Sequence, residues 1–208
     1  MENNTGKKDV IIKIAFDYFL NVGYEATTVR MVCKKANIEP PSLYYYFGSK
    51  KGLFFAVVDK MLANYQEMGQ INSKEGSMHP EKLLEAIYEN SIKYAITHKN
   101  ETKFYLRYTL FTPPELKKDI ETYMTPTYER KKTLFKKYLT QLCEMQEYKF
   151  NIETAFVMFE RLVDDSTFNV VFSNWNPSKK EISEIFGIFC KLHYKERTIK
   201  HEQKMDDC

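Results

Sequence analysis

The sequence predicts an all-α protein in which three short helices precede a larger helical region. Apolar residues recur at spacings of three and four along most of the chain, which is the period of an amphipathic helix. The 208 residues include only seven glycines and seven prolines, so few positions interrupt long helices. No segment shows the apolar–polar alternation that is typical of a half-buried strand.

The first two helices are predicted from one apolar face and from residues that end or cap a helix. Residues 8–22 form the first helix, and Gly23 follows it, where a helix C-terminus favours glycine. Thr27 or Thr28 can cap the second helix, at 28–35. Asn37 tolerates the left-handed conformation that would end this helix.

The stretch "PPSLYYYF" predicts a third, short helix at 40–46. Pro40 and Pro41 suit its first turn, where a backbone N–H has no partner, and Gly48 ends it. Leu43 and Phe47 are four residues apart and face the same way. Ser49 then caps a longer helix, at about 50–70.

The remainder of the chain is also predicted to be helical. Helices are expected at 80–98, 101–111, 114–147 with a kink at Pro126, 152–174 and 178–195. The polar segment 72–80 separates them from the N-terminal helices, and 196–208 form a polar tail. We therefore expect a domain at 1–54 with a connecting helix to about 70, a second domain at 55–195, and the tail.

The composition and the motifs exclude several classes of protein. No apolar run approaches the ~18 residues of a membrane span, and the N-terminus lacks the apolar core of a signal peptide. The four cysteines show no metal-site or disulfide spacing. Serine-hydrolase, zinc-protease and phosphate-loop motifs are absent, and the histidines are scattered. We expect a cytoplasmic protein with no enzymatic activity, no metal and no cofactor.

Positive charge and exposed aromatic residues point to a nucleic acid at the N-terminal helices. Residues 1–60 hold nine basic and six acidic residues, whereas the remainder holds 22 of each; an ordinary solvated surface would also explain this excess. The spacing of the second and third helices is that of a helix-turn-helix motif, whose second helix enters the major groove. Lys50 and Lys51 fall in a first helical turn, where the helix dipole disfavours positive charge. An anion such as phosphate would explain them.

Residues 11–54 resemble the DNA-binding domain of TetR-family transcriptional regulators. The resemblance rests on "FLNVGYEATTVRMV", the "KKANI" turn, "SLYYYF" and "SKKGLF". It implies a helix-turn-helix DNA-binding domain followed by a helical domain for effector binding and dimerisation. It also implies a homodimer, a palindromic double-stranded DNA operator, and action as a repressor.

The resemblance assigns roles to individual residues of the N-terminal domain. Thr28 would contact a phosphate, and Tyr44, Tyr45 and Lys50 would contact the DNA backbone. Tyr46 stands where the family usually has histidine, and packing between helices is an equal alternative for it. The base-facing residues would be Glu39, Pro40, Pro41 and Ser42. Glu39 either accepts a hydrogen bond from a cytosine amino group or caps its helix.

The aromatic residues of the larger region predict either a core or an effector pocket. The family resemblance favours a pocket, and its expected lining is Phe104, Tyr105, Tyr108, Phe111, Tyr128, Phe159 and Asp164. The ligand should be apolar or aromatic, and a cation would suit rings beside a carboxylate. The alternative function is a small-molecule or lipid carrier on the same scaffold without specific DNA binding.

The last two helices carry apolar stripes that predict a dimer interface. The residues expected in this interface are Phe156, Phe159, Val163, Ile182, Ile185, Phe186, Gly187 and Phe189. Packing within one subunit would require the same stripes, so the preference for a dimer rests on the family and on the two-fold symmetry of operators.

Overall fold

A computed structural model describes residues 2–68, 78–145 and 150–193. Within these ranges the chain forms helices and no strand, which confirms the predicted all-α class. The helices are α1 (Glu2–Asn21), α2 (Val29–Ala36), α3 (Pro40–Phe47), α4 (Lys50–Met68), α5 (Pro80–Thr97), α6 (Lys99–Leu110), α7 (Lys117–Glu144), α8 (Ile152–Phe172) and α9 (Lys179–His193). None of these helices is long and apolar enough to cross a membrane.

The observed helix bounds lie close to the predicted ones, with two differences. The first helix begins at Glu2 rather than at residue 8, and α7 is preceded by a 3₁₀ turn, Pro114–Leu116. Pro126, the site of the predicted kink, lies within α7. Most of the predicted polar break and the tail at 196–208 lie outside the described residues.

Local capping interactions fix the turn between α2 and α3. The side-chain oxygen of Thr28 accepts a hydrogen bond from the backbone N–H of Met31 at 3.2 Å, so Thr28 is the N-cap. Asn37 takes the left-handed conformation, with φ 51° and ψ 51°. The N–H of Ile38 donates to the carbonyl of Cys33 at 3.1 Å, which satisfies a free carbonyl at the end of α2. The turn therefore spans only residues 37–39.

α3 and α4 meet at a junction that requires two glycines. Gly48 has φ +69°, a conformation that side-chain-bearing residues rarely adopt. The Ser49 hydroxyl oxygen accepts from the N–H of Gly52 at 2.9 Å and so caps α4 as predicted. A Cβ atom on Gly52 would lie 2.0 Å from the carbonyl oxygen of Phe47. Gly52 thus allows the first turn of α4 to lie directly against the end of α3.

The N-terminal helices pack around a hydrophobic cluster that we call the head core. Its buried members from this part of the chain include Ile11, Ala15, Phe19, Val32, Leu43, Leu53 and Phe54. Phe104 and Tyr108 of α6, together with Leu116 and Ile120, also belong to the head core. The N-terminal helices are therefore closed by residues from well beyond the predicted N-terminal domain.

A second cluster, the body core, surrounds α5. Helix α5 packs against α6, α7, α8 and α9. The body core includes Leu84, Tyr88, Ile92, Phe135, Leu139, Phe156, Phe159, Ile182, Phe186 and Phe189. Within it, the hydroxyls of Tyr88 and Ser166 form a hydrogen bond at 2.8 Å.

Most residues of the predicted dimer interface lie in the interior of the single chain. Six of the eight are buried there: Phe156, Phe159, Val163, Ile182, Phe186 and Phe189. Ile185 and Gly187 are half-buried. The physical reason is that α8 and α9 need their apolar stripes to cover α5, so these stripes are not available to a partner.

Candidate nucleic-acid interface and internal cavity

The N-terminal end of α3 is exposed to solvent, while one residue of this helix is buried and holds it against the other N-terminal helices. Leu43 is fully buried in the head core, whereas Glu39, Pro41 and Ser42 are exposed. Glu39 occupies the N-cap position, but its side chain makes no capping hydrogen bond. Of the two roles considered for Glu39, capping is therefore not observed. Pro40 and Pro41 fill the first turn as predicted, so the end of α3 is rigid and open to solvent.

The three consecutive tyrosines occupy different environments. Tyr45 is 82% exposed and Tyr44 is 49% exposed. Tyr46 is half-buried and packs against the head core, with its ring centroid 5.4 Å from that of Tyr45 and 6.1 Å from that of Phe47. Tyr44 and Tyr45 can therefore contact a binding partner, whereas Tyr46 packs between the head core and the ring of Tyr45.

Thr28 and the start of α2 add polar groups to this side of the molecule. The Thr28 oxygen accepts from Met31, which leaves its hydroxyl proton free to donate to a phosphate oxygen. Arg30 lies in the first turn of α2 and is exposed. The sequence motifs do not single out Arg30, but its position beside the N-cap makes it a further candidate for a DNA contact.

Lys50 and Lys51 both have partners within the chain. The Lys50 Nζ lies 3.3 Å from the Glu25 carbonyl oxygen and 4.3 Å from the ring centroid of Tyr24. The Lys51 Nζ lies 3.0 Å from a carboxylate oxygen of Asp119. The Asp119 carboxylate therefore balances the charge of Lys51, so this lysine does not require a bound phosphate. An ammonium group has three donors, so Lys50 keeps N–H groups that can bind a phosphate.

A cavity of about 400 Å³ lies between α4, α5, α6, α7 and α8, within the usual size range of ligand pockets. Three of the predicted ligand-binding residues, Tyr105, Tyr128 and Asp164, line it. The other lining residues are Met61, Leu62, Ser91, Tyr94, Glu101, Thr102, Thr109, Glu121, Met124, Thr125, Thr127, Lys131, Glu160, Val163 and Thr167.

Four predicted ligand-binding residues lie outside this cavity. Phe104 and Tyr108 are in the head core, Phe159 is fully buried in the body core, and Phe111 is 78% exposed after the end of α6. Successive residues on a helix point about 100° apart. Tyr105 therefore faces the cavity while its neighbour Phe104 faces the head core, and the aromatic run alone does not distinguish them.

The charged residues that line the cavity are mostly acidic. They include Glu101, Glu121, Glu160 and Asp164 but only one basic residue, Lys131. The Lys131 Nζ lies 2.8 Å from an oxygen of Glu160. Burial, and next the negative charge of Glu160, raise the pKa of the Asp164 carboxyl. Glu160 and Asp164 are four residues apart on α8 and therefore lie on the same face of this helix.

Metal binding is not indicated in the described part of the chain. No three histidine, cysteine or acidic side chains come together there in a way that could hold an ion. The described cysteines, Cys33, Cys143 and Cys190, form no disulfide with one another.

Helix α6 connects the cavity to the head core. The Tyr108 hydroxyl donates to the carbonyl of Phe19 at 2.8 Å, and the Arg107 guanidinium donates to the carbonyl of Leu20 at 2.8 Å. These carbonyls belong to the last turn of α1, where a helix leaves its carbonyls without intrahelical partners. Burial raises the pKa of Tyr108 to about 12, so its hydroxyl remains a donor.

Residues 11–57 match the family model for bacterial regulatory proteins of the tetR family. A Bacillus subtilis (strain 168) protein described as a probable HTH-type transcriptional regulator, YttP, is 24% identical over 143 residues, covering 68% of this chain and 67% of YttP. The negative transcriptional regulator IcaR of the biofilm operon of Staphylococcus aureus (strain Newman) is 30% identical over 82 residues. That alignment covers 39% of this chain and 44% of IcaR.

Solved structures share the fold at low sequence identity. The flavonoid-responsive regulator FrrA has a TM-score of 0.67 and 18% identity over 93% of this chain and 99% of FrrA. The fatty acid degradation regulator FadR from Bacillus halodurans has a TM-score of 0.66 and 16% identity over 88% of this chain and 94% of FadR. Residues 11–57 therefore match a tetR-type DNA-binding domain, and the family model, the related regulators and the shared fold together support a TetR-family transcriptional regulator.

Proposed function

We propose that the protein is a ligand-responsive repressor that binds an operator as a homodimer and is released by a small apolar or aromatic effector. The observation that carries this proposal is the position of α6. One face of α6 lines the cavity with Thr102, Tyr105 and Thr109, and another face enters the head core with Phe104 and Tyr108. A ligand that moves α6 must therefore also act on the DNA-binding helices.

The exposed surface of α2 and α3 is the proposed DNA contact. Tyr44, Tyr45, Thr28 and Lys50 would hold backbone phosphates, which position a protein on DNA without reading its sequence. The base-facing residues would be those at 39–42. Because two of the four are prolines, side-chain hydrogen bonds to bases would come from Glu39 and Ser42 only. We expect modest base readout from each subunit.

The transmission route is proposed to run through the end of α1. Arg107 and Tyr108 hold the last carbonyls of α1 at 2.8 Å each, and α1 packs against both α2 and α4. A shift of α6 would tilt α1 and with it the α2–α3 unit. In a dimer this would change the separation of the two recognition helices from the ~34 Å that spans successive major grooves.

The related proteins support the repressor and effector parts of the proposal. IcaR is a negative transcriptional regulator, and FrrA is a flavonoid-responsive one. Both descriptions concern those proteins, and they support repression and a small organic effector for this chain by relationship. The proposal also keeps the division into a DNA-binding domain at 1–54 and an effector-binding and dimerisation domain at 55–195.

Dimerisation requires a different surface from the one that the sequence predicts. TetR-family proteins act as dimers. Among the described side chains of α8 and α9, the large apolar ones that remain exposed are Val157, Phe168, Phe172 and Ile188, with Phe172 49% and Ile188 57% exposed. We therefore place the partner on this outer apolar surface rather than on the buried stripes.

DNA binding is tested by measuring affinity as a function of salt, with DNA fragments from upstream of the protein's own gene. Lys50→Ala should reduce the slope of log affinity against log salt by about one unit, because one phosphate contact is lost. Tyr45→Ala removes no charge, so it should weaken binding about tenfold and leave the slope unchanged. Its large exposure means that the fold should be unaffected.

Lys60→Ala is the matched control for the lysine variant. Lys60 is exposed on the same helix, ten residues or ~15 Å further along, and pairs with Asp9 at 3.7 Å. Its removal should leave the slope unchanged. If wild-type protein binds none of the fragments, or if Tyr45→Ala and Lys50→Ala bind like wild type, the proposed interface is rejected. Ligand binding without any DNA binding would identify a carrier instead.

A further inference from the structure

The hydroxyl groups that line the cavity present hydrogen-bond acceptors. Five lining residues donate their hydroxyl protons to the backbone carbonyl four residues earlier, at 2.6–3.1 Å: Ser91, Thr102, Thr109, Thr125 and Thr167. A hydroxyl has one proton and two lone pairs. Once the proton is used on the backbone, only lone pairs remain for a ligand.

The charged groups of the cavity add further acceptors. The single lysine, Lys131, is engaged by Glu160 at 2.8 Å. This ion pair leaves Asp164, Glu101 and Glu121 as the other carboxylates of the lining. Among the described residues no cation forms a salt bridge with Asp164, although the charge of Lys131 acts on it. A ligand therefore meets an excess of negative charge. The protein donors that face it are the tyrosine hydroxyls, which can also accept, the Thr127 hydroxyl and the N–H groups of Lys131.

The rest of the lining favours an apolar or aromatic body on the ligand. Met61, Leu62, Met124 and Val163 provide apolar surface. The rings of Tyr94, Tyr105 and Tyr128 add aromatic faces, which attract cations as well as apolar groups. A carboxylate beside such rings is an arrangement that can hold an organic cation.

We propose that the cavity binds a protonated amine carried on an apolar or aromatic body, with Asp164 as the residue that receives the ammonium group. This inference rests on the proposed function, in which the cavity is the effector site, and it names the chemistry of that effector. The N–H donors of an ammonium match the acceptor-rich lining, whereas a quaternary ammonium would leave those acceptors unpaired. An anion would face four carboxylates and one lysine, Lys131, whose charge Glu160 already balances.

The electrostatics of Asp164 agree with this assignment. Burial and, next, the charge of Glu160 raise the pKa of Asp164, and the charge of Lys131 opposes them. This burial is partial, because Asp164 is also open to solvent. A ligand cation beside the carboxylate would lower its pKa. Glu160 is less suited to the same role because Lys131 already neutralises it.

The test compares three compounds that share an indole ring and differ in charge: tryptamine, tryptophol and indolepropionate. Calorimetry on the full chain without DNA measures their affinities at pH 7, where tryptamine carries an ammonium group. Tryptamine should bind at least about tenfold more tightly than the neutral tryptophol, and indolepropionate should bind weakest. Asp164→Asn should remove about tenfold of the tryptamine affinity and leave that of tryptophol within about twofold.

Asp165→Asn is the matched control. It makes the same change one residue further along α8, at an exposed carboxylate that does not line the cavity and that accepts a hydrogen bond from Asn169 at 3.2 Å. It should leave all three affinities unchanged. Equal or tighter binding of tryptophol or indolepropionate, no binding of tryptamine, or equal losses in both variants would overturn the inference.

The outcome is independent of DNA binding. The calorimetry contains no DNA. If the chain prefers tryptamine but fails to bind DNA, the amine-binding cavity is supported and the proposed function as a DNA-binding regulator is rejected. Conversely, if the chain binds DNA but shows no preference for the amine, the proposed regulatory function stands and the proposed amine ligand is rejected.

Discussion

Replacement of Gly52 by alanine tests the junction between α3 and α4. The added Cβ would lie 2.0 Å from the carbonyl oxygen of Phe47 and 3.1 Å from its carbonyl carbon. These are backbone atoms at the end of α3, so no side-chain rotation can relieve the contact. Ordinary contact begins at 3.4 Å, and the two helices must therefore separate by about 1.4 Å.

The expected effect on stability is the balance of two opposing terms. Overpacking of this kind typically destabilises by about 1–3 kcal/mol. The better helix propensity of alanine stabilises the folded state by up to about 1 kcal/mol, and by less in the first turn of a helix. A net loss of about 1–2 kcal/mol lowers the melting temperature of a chain of this length by about 2–8 °C.

The same displacement should impair DNA binding, because α3 carries Tyr44 and Tyr45. Thermal unfolding followed by circular dichroism measures the first effect, and fluorescence anisotropy with operator DNA measures the second. Gly6→Ala is the control. Gly6 lies on α1 with no atom within 4 Å of an added Cβ, so this variant should be as stable as wild type or slightly more stable. A Gly52→Ala protein that is also as stable as wild type would refute the steric argument.

Asp164→Asn should raise the melting temperature at pH 7, because folding raises the pKa of this carboxyl and so disfavours its ionised form. The gain should disappear below about pH 4, where the acid is protonated in both states; no gain at pH 7 contradicts this. Tyr108→Phe should lower the free energy of unfolding in urea by about 1–3 kcal/mol, because the carbonyl of Phe19 loses its donor. Phe189→Glu should unfold the chain, whereas Phe172→Glu should keep the melting temperature and yield monomers in sedimentation. A dimeric Phe172→Glu protein would remove that surface from the interface.

The short-range features of the N-terminal helices are determined by the sequence. The Thr28 cap, the left-handed Asn37 and the Ser49 cap are predicted and observed. Each depends on hydrogen bonds or backbone preferences within about four residues, so neighbouring residues suffice to specify it. The helix-turn-helix spacing follows from the positions of these helix caps and helix ends.

The roles of Lys50, Lys51 and Gly52 depend on contacts that are distant in sequence or that arise from helix packing. Lys51 pairs with Asp119, which is 68 residues away, and Lys50 folds onto Tyr24 and Glu25. In the sequence these lysines indicate an anion site, because nothing nearby offers them a partner. A long-range ion pair leaves no periodic signal in one sequence.

In the larger region, which face of each helix is buried depends on the tertiary structure. Its helices carry apolar residues on more than one face, so periodicity predicts the helices but not which face meets which neighbour. Phe189 and Phe186 could cover α5 or a second subunit, and the packing of α9 on α5 places them inside the chain. Tyr105 and Phe104 are adjacent and equally aromatic, yet only the position of α6 between the two cores puts one in the cavity and the other in the head core.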